Sequence, residues 1–256
     1  MNESARRTLQ IIEYLAERGP TGLSRMASDL SLNKSTAHRF LATLVEAGFA
    51  RRDGNRSYTL TTKVVGLGSK VLDRIEIRDE VRPHLERLSA LTSETAHLAI
   101  LEDWEIVYID KVDGQQAVTM ASRIGGRGHC HSTALGKVLL ADLPQEAWTR
   151  YVKEKGLGRR TPNTIVEPAR LRPELAVVRE RGYAVDDAEN EEGIRCVAAP
   201  VRDHDGDVVA AMSISGWTVS MTTDRIPELV PIVARHAERA SRALGYGSSE
   251  PAPPRT

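Results

Sequence analysis

Aromatic residues are scarce in this 256-residue chain: 4% in all, with two Phe, three Trp and six Tyr. Both phenylalanines, Phe40 and Phe49, fall in the first fifty residues. The rest of the chain is therefore poorly equipped to enclose a large apolar molecule, and any ligand held there is expected to be polar. Two cysteines, Cys130 and Cys196, make no disulfide framework and fit a reducing compartment. No apolar run reaches the length needed to span a bilayer. The opening MNESARRTLQ lacks the apolar h-region of a secretory signal. Both observations lead us to expect a cytoplasmic protein with no membrane partner. A formal net charge of zero argues against a purely electrostatic nucleic-acid binder. No Gly-rich nucleotide loop, nucleophile elbow or internal repeat is present, so no cofactor is expected.

The charge is unevenly placed. Residues 1–60 carry nine Lys+Arg against six Asp+Glu, and the remainder carries 26 against 29. That basic head holds the most informative stretch, LSRMASDLSLNKSTAHRFLATLVEA, Leu23 to Ala47. Leu23, Met26, Ala27 and Leu30 have the i, i+3, i+4, i+7 spacing of one buried helical face. Ser31, Leu32 and Asn33 make a turn, with Asn33 placed to cap a second helix. That helix is expected to bury Ala37, Phe40, Leu41, Leu44 and Val45, and to end at Gly48 as a C′ residue. Its other face carries Ser35, Thr36, His38, Arg39 and Thr43. Two helices across a turn, the second with a donor-rich leading face, form a helix-turn-helix. Asp53-Gly54 then marks a β-hairpin turn. This hairpin is a wing that brings Arg51, Arg52 and Arg56 within reach of phosphates or a minor groove. Leu9, Ile12 and Leu15 give an opening helix its apolar face. Residues 1–61 are therefore expected to be a winged helix-turn-helix that binds double-stranded DNA through Asn33, Ser35, Thr36, His38, Arg39, Thr43, Arg51, Arg52 and Arg56.

A linker helix is expected over 62–78. Its apolar residues Val64, Val65, Leu67, Val71, Leu72 and Ile75, interrupted by Gly66 and Gly68, pack on a partner subunit or within their own chain. Asp79 caps a helix over Glu80–Leu91, with Pro83 in its first turn. Alternation over Glu94–Val112 around Glu102-Asp103 reads as a hairpin. A strand is expected over Val118–Ile124, a short helix over Ser132–Ala141 and a helix over Pro168–Arg181 ending at Gly182. A second hairpin joins Arg195–Arg202 to Val208–Ser215, and an amphipathic helix covers Ile226–Leu244. Antiparallel strand pairs with segregated helices make an α+β domain, placed at 79–245. The tail 246–256, rich in Pro, Ser and Gly, is expected to be disordered.

Three segments together resemble one family. NKSTAHRFLATLVEAGF is similar to the helix-turn-helix of the IclR family of bacterial transcriptional regulators. HSTALGKVLLA is similar to the entrance of the family's effector-domain helix. RGYAVDDAENEEGIRCVAAPVRD followed by VVAAMSISG resembles its C-terminal pattern. The resemblance runs from about Ala5 to Leu244. It implies a GAF-like antiparallel-sheet effector domain, a homodimer or a homotetramer built as a dimer of dimers, and no enzymatic activity. It also implies an effector site at Ala134, Leu135, Asp186, Cys196, Ser213 and Ser215. Ala134 and Leu135 stand where some members carry smaller residues, and Trp217 follows Gly216 where Pro is usual.

The residues support such a site on their own terms. A helix opening near Ser132 offers unpaired N–H groups to an anion. Ser213 and Ser215 share one face of a strand. The expected function is a ligand-responsive regulator, a repressor of a catabolic or metabolic operon, that senses a small organic acid: a sugar acid, keto acid or aromatic acid. Two alternatives stand beside it. One is metal sensing through His129, Cys130 and His131, although the remaining ligands are not evident. The other is an enzyme with Cys196 as nucleophile and His129, His131 or His204 as base.

Overall fold

The computed structural model describes residues 3–53, 56–72, 76–115 and 122–247, apart from the side chains of Ser69, Val71, Leu72 and Glu76. The chain forms two compact units, Met1–Ile75 and Glu76–Thr256.

The first unit opens with α1 (Glu3–Arg18), β1 (Thr21–Gly22), α2 (Leu23–Asp29) and α3 (Lys34–Glu46). It continues with β2 (Ala50–Arg52), β3 (Ser57–Leu60) and α4 (Thr62–Leu72). Ile11, Tyr14 and Leu15 of α1 pack with Met26, Ala27, Ala37, Phe40, Leu41 and Leu44. The buried face of α1 differs from the expected one, because Leu9 is exposed and Ile12 only partly buried. Val45 likewise points outward, whereas Ala37, Phe40, Leu41 and Leu44 are buried as their spacing requires.

Local bonds define the helix ends. Asn33 accepts the Thr36 N–H at 2.8 Å, capping α3. Gly48, at φ +76°, ends that helix. The Gly48 amide donates to the Val45 carbonyl and the Phe49 amide to the Leu44 carbonyl, the paired bonds of a Schellman motif. The turn between α2 and α3 repeats the arrangement, with Ser31 at φ +53° where glycine would be easier. The small sheet has order β1-β3-β2. Thr21–Gly22 was not anticipated as a strand, being only two residues long. The Gly54-Asn55 tip of the wing lies outside the described residues, as do the side chains of Val71 and Leu72 and the residue Ile75.

The second unit contains α5 (Glu76–Thr92), β4 (Thr95–Glu102), β5 (Glu105–Val112), β6 (Arg127–His129), α6 (Ala134–Ala141), α7 (Gln145–Lys155), α8 (Pro168–Arg181), β7 (Ala184–Asp187), β8 (Ile194–Arg202), β9 (Val208–Trp217) and α9 (Ile226–Ala243). Among the described residues its strands form one six-stranded antiparallel sheet of order β6-β5-β4-β9-β8-β7. The fold is α+β.

Three expectations need correction. α5 begins at Glu76, so Asp79 lies inside the helix rather than capping it, and Pro83 is interior. The strand that follows the first hairpin is Arg127–His129, paired with β5, beyond the expected Val118–Ile124. Residues 118–121 lie outside the described residues, and 122–124 are not strand. Tyr246 and Gly247 continue the turn after α9, with the Tyr246 amide bonded to the Ser241 carbonyl. The rest of the tail lies outside the described residues. α7 was missed because its apolar positions, Trp148, Tyr151 and Val152, are few among charged ones.

Strand alternation separates the sheet faces. One face presents Ala96, Leu98, Val197, Ala199, Met212 and Ile214, and α5 and α9 pack against it. The other is covered by α6 and α8 and presents small residues, Ala99, Ala184, Ala198 and Ala211. Gly136 lets α6 settle deeply, since a Cβ there would lie 2.2 Å from the Cys130 Cα. Burying an aliphatic side chain such as Leu171 or Leu175 contributes about 1.5–3 kcal/mol, and both are fully buried behind α6.

Candidate functional site

Two groups of residues carry chemistry, one in each unit. In the first, α3 exposes Ser35, His38, Arg39 and Thr43 and half-buries Thr36. Asn33 is occupied locally: besides its cap bond, its side chain accepts the Ser35 hydroxyl at 2.9 Å. It positions the helix end rather than offering a free group. Strand alternation splits the wing arginines, because Arg51 and Arg52 point to opposite faces of β2. A groove of about 510 Å³ is lined by His38, Arg52 and Arg56, and also by Arg25 and Ser24 of α2. Arg51 is not on it. Arg25 was missed in the sequence because it lies on the first helix of the motif; only the fold brings it opposite the wing. Four side chains with N–H donors around one groove suit an anionic backbone.

In the second unit, pairing register builds a polar row across four strands. Thr95 of β4 lies opposite Ser215 of β9, which lies opposite Cys196 of β8, which lies opposite Asp186 of β7. The adjacent row starts with His97 opposite Ser213. All these side chains share one sheet face, beneath the start of α6. All but Thr95 line a cavity of about 60 Å³ that is bounded by Ala134, Leu135, Asp186, Cys196, Ser213 and Ser215, together with His97, Tyr108, Ser122, Thr133 and Asn190. The structure thus brings all six expected effector residues together. It adds His97, Tyr108 and Ser122, which could be found only by knowing that β4 and β5 pair beside β9.

Thr133 caps α6, accepting the Gly136 amide at 3.1 Å. The amides of Ala134 and Leu135 precede the first intrahelical bond, so neither has an acceptor within the helix. The Ser213 hydroxyl is buried without a partner among the described residues. Asp186 closes a turn by accepting the Glu189 amide at 2.7 Å and the Asn190 amide at 3.3 Å. Burial pushes its carboxyl up to about 7, helped by the nearby Glu189 and opposed by those amide bonds and by Lys137. Behind this turn Lys137, 1% exposed, pairs with Glu189 and donates to the Val185 carbonyl at 3.1 Å. Burial lowers His97 to about 3, with Lys111 adding to the effect, so its ring is neutral.

The alternative chemistries do not assemble. His131 is bonded through Nε2 to the Gly158 carbonyl at 2.8 Å and through Nδ1 to the Tyr151 hydroxyl at 3.3 Å. Cys130 donates to the Trp104 carbonyl, and burial pushes its thiol up to about 12. Neither offers a free ligand atom beside His129. Among the described residues the one group of three possible ligands is Asp203, His204 and Asp205, where Asp203 already accepts the turn amides of Asp205 and Asp207. Burial, with Asp186 beside it, raises the Cys196 thiol well above its ordinary value, the reverse of an activated nucleophile. None of His129, His131 and His204 lines its cavity.

The family model for the IclR helix-turn-helix domain matches residues 4–54, and that for the bacterial transcriptional regulator IclR C-terminal matches residues 69–242. The chain belongs to the IclR family. It is 38% identical over 237 residues to the HTH-type transcriptional regulator KdgR of Dickeya chrysanthemi, covering 92% of this chain and 78% of that protein. It is 34% identical over 247 residues to the transcriptional repressor IclR of Escherichia coli, covering 95% and 90%. The crystal structure of Thermotoga maritima IclR superposes with a TM-score of 0.82 at 39% identity, covering 95% of this chain and 99% of that one. An IclR homolog from Microbacterium hydrocarbonoxydans, solved with 4-hydroxybenzoate, gives 0.83 at 26% identity over 94% and 99%. KdgR and the Escherichia coli protein are named as a transcriptional regulator and a transcriptional repressor, and the winged helix-turn-helix makes this chain a DNA-binding one. Among the described residues no helix is long and apolar enough to cross a membrane.

Proposed function

We propose that this IclR-family protein is a cytoplasmic repressor whose affinity for operator DNA is set by a small organic acid held in the α6 cavity. The observation that carries this reading is the pairing of unmet groups there: the amides of Ala134 and Leu135 at a helix N-terminus, and the buried, unpaired Ser213 hydroxyl. The helix N-terminus suits a carboxylate. The serines, Asn190 and Asp186 suit the hydroxyl or carbonyl groups of a sugar acid or keto acid better than an aromatic ring. The protein acts as a homodimer, or a dimer of dimers, on a near-palindromic site. The exposed Leu9, Val65 and Leu67 of the first unit favour such an assembly. The ligand acts by binding one dimer geometry better than another.

Thermal-shift screening of organic acids, joined to operator gel shifts, tests the proposal. A ligand at a hundred times its Kd adds about 2.7 kcal/mol to apparent stability. An acid that raises the melting temperature and changes operator retention supports the reading. No shift from any acid at millimolar concentration would overturn it.

A further inference from the structure

His97 is the cavity residue whose polar atoms are most fully placed by others. It is 2% exposed and sits on β4, three strands away from Asp186 on β7 with β9 and β8 between them. The β4 and β7 backbones are therefore about 14 Å apart, three spacings of about 4.8 Å. Its Nε2 lies 2.7 Å from the Ser122 hydroxyl and its Nδ1 3.4 Å from the Ser215 hydroxyl. Tyr108 packs against the ring, with centroids 5.3 Å apart. Directly across the strand pair is Ser213, the hydroxyl without a partner.

We propose that His97 determines ligand specificity at the β4 end of the cavity, orienting Ser215 so that this end takes an uncharged hydroxyl or carbonyl and rejects a second carboxylate. The proposal deepens the organic-acid reading and rests on it. A neutral imidazole has one donor nitrogen and one acceptor. With Nε2–H donating to Ser122, Nδ1 accepts the Ser215 proton and Ser215 presents only lone pairs, which receive a ligand hydroxyl. With Nδ1–H donating to Ser215, that serine keeps its own proton for a ligand carbonyl. Neither arrangement supplies positive charge. Lys111, which acts electrostatically on His97, is turned to the Ser122 carbonyl at 2.9 Å and to Asp113 at 2.9 Å. Burial keeps the ring from charging to meet an anion. A carboxylate at this end would therefore be desolvated without compensation, whereas at the α6 end it meets two amides.

The test is calorimetric titration of the full-length protein with matched acids: D-glycerate against tartronate and propionate, and D-gluconate against D-glucarate and hexanoate. At least one hydroxylated monoacid is expected to bind tenfold or more tightly than its diacid and its deoxy counterpart. His97→Gln, neutral and able both to donate and to accept, should keep that order. His97→Leu should bring the hydroxylated-to-deoxy ratio near one while leaving the carboxylate bound. A diacid that binds as well as its monoacid, or an unchanged ratio in His97→Leu, overturns the assignment. Where melting curves show His97→Leu unfolded, the wild-type and His97→Gln ratios decide. Absence of heat from every acid overturns the organic-acid reading itself, and this inference with it.

Discussion

In the DNA-binding unit the side chains that face outward, Ser35, His38, Arg39 and Thr43, stand in solvent and are held only by their own helix. In the effector unit Asp186, His97, Ser213 and Lys137 are each at least nine-tenths buried, and His97 and Lys137 are bonded to residues far away in sequence. The first arrangement suits a surface that must meet a polyanion: its groups stay solvated until DNA supplies their partners. The second suits a small molecule, because partners fixed in advance cost little reordering on binding. The same residue types therefore carry different energies in the two units, and that difference can be tested.

The sharpest contrast is between two ion pairs. Lys137–Glu189 is buried and ties α6 to the turn that holds Asp186. Arg25–Asp29 spans 3.9 Å on an exposed helix face. Lys137→Met should cost about 3–5 kcal/mol, because it leaves the Glu189 carboxylate buried and unpaired. Arg25→Ala should cost no more than about 1 kcal/mol of stability, with its effect appearing instead in DNA affinity. Denaturant unfolding of the full-length variants measures both. Equal losses would break the comparison.

On the DNA side, Arg39→Ala should weaken operator binding by about 1–3 kcal/mol and relax preference at one base position, as expected for an arginine reading a base edge. Arg52→Ala and Arg56→Ala should weaken binding to all sequences and flatten the salt dependence. Arg51→Ala should do less, since Arg51 lies on the other face of β2 and off the groove. Gel shifts over a salt series separate these outcomes. An Arg51 effect as large as that of Arg52 would reassign the DNA-facing side of the wing.

The contrast between the units also explains what was legible in the sequence. α2, the α3 cap at Asn33 and the Gly48 stop depend on neighbours within five residues, so their spacing revealed them. The hairpin β8–β9 was legible through its Asp-Gly turn. His97 was not, because its place depends on β4 pairing with β9, 118 residues away at Ser215. Leu9 and Val45 failed for a related reason. Periodicity identifies an apolar stripe but not its edge, and the structure leaves both exposed. The six effector positions came from family resemblance rather than from spacing; strand register explains why they meet in one cavity.

A smaller loss is expected at Asn33. Asn33→Ala removes the acceptor for the Thr36 amide and the Ser35 hydroxyl, costing about 1 kcal/mol. Asn33→Asp keeps an acceptor at the helix N-terminus and should retain stability. Thermal unfolding of the two variants tests whether the first unit depends on this local bond. A fully stable Asn33→Ala protein would show that packing alone holds α3.

The last expected effect is a pH slope that belongs to the effector unit alone. The Asp186 carboxyl lies near 7 in the folded chain against 3.8 as its ordinary value, chiefly through burial, with Glu189 raising it and Lys137 lowering it. Between those two values the folded state holds a proton that the unfolded state has lost. This group's contribution to stability is therefore greatest at low pH and declines as pH rises towards and through 7. The buried histidines His97, His131 and His236 act in the opposite sense, His97 most of all, because their folded values lie below the ordinary 6.5 and they favour folding as pH rises to that point. Asp186→Asn separates the two, since the amide oxygen can still accept the Glu189 and Asn190 N–H groups but cannot titrate. The difference in unfolding free energy between wild type and Asp186→Asn should move against wild type by about 1 kcal/mol between pH 6 and pH 7. A difference that stays flat over that range would mean that Asp186 is already ionised at pH 6. The cavity would then present a full negative charge, and a carboxylate could approach only from the α6 end.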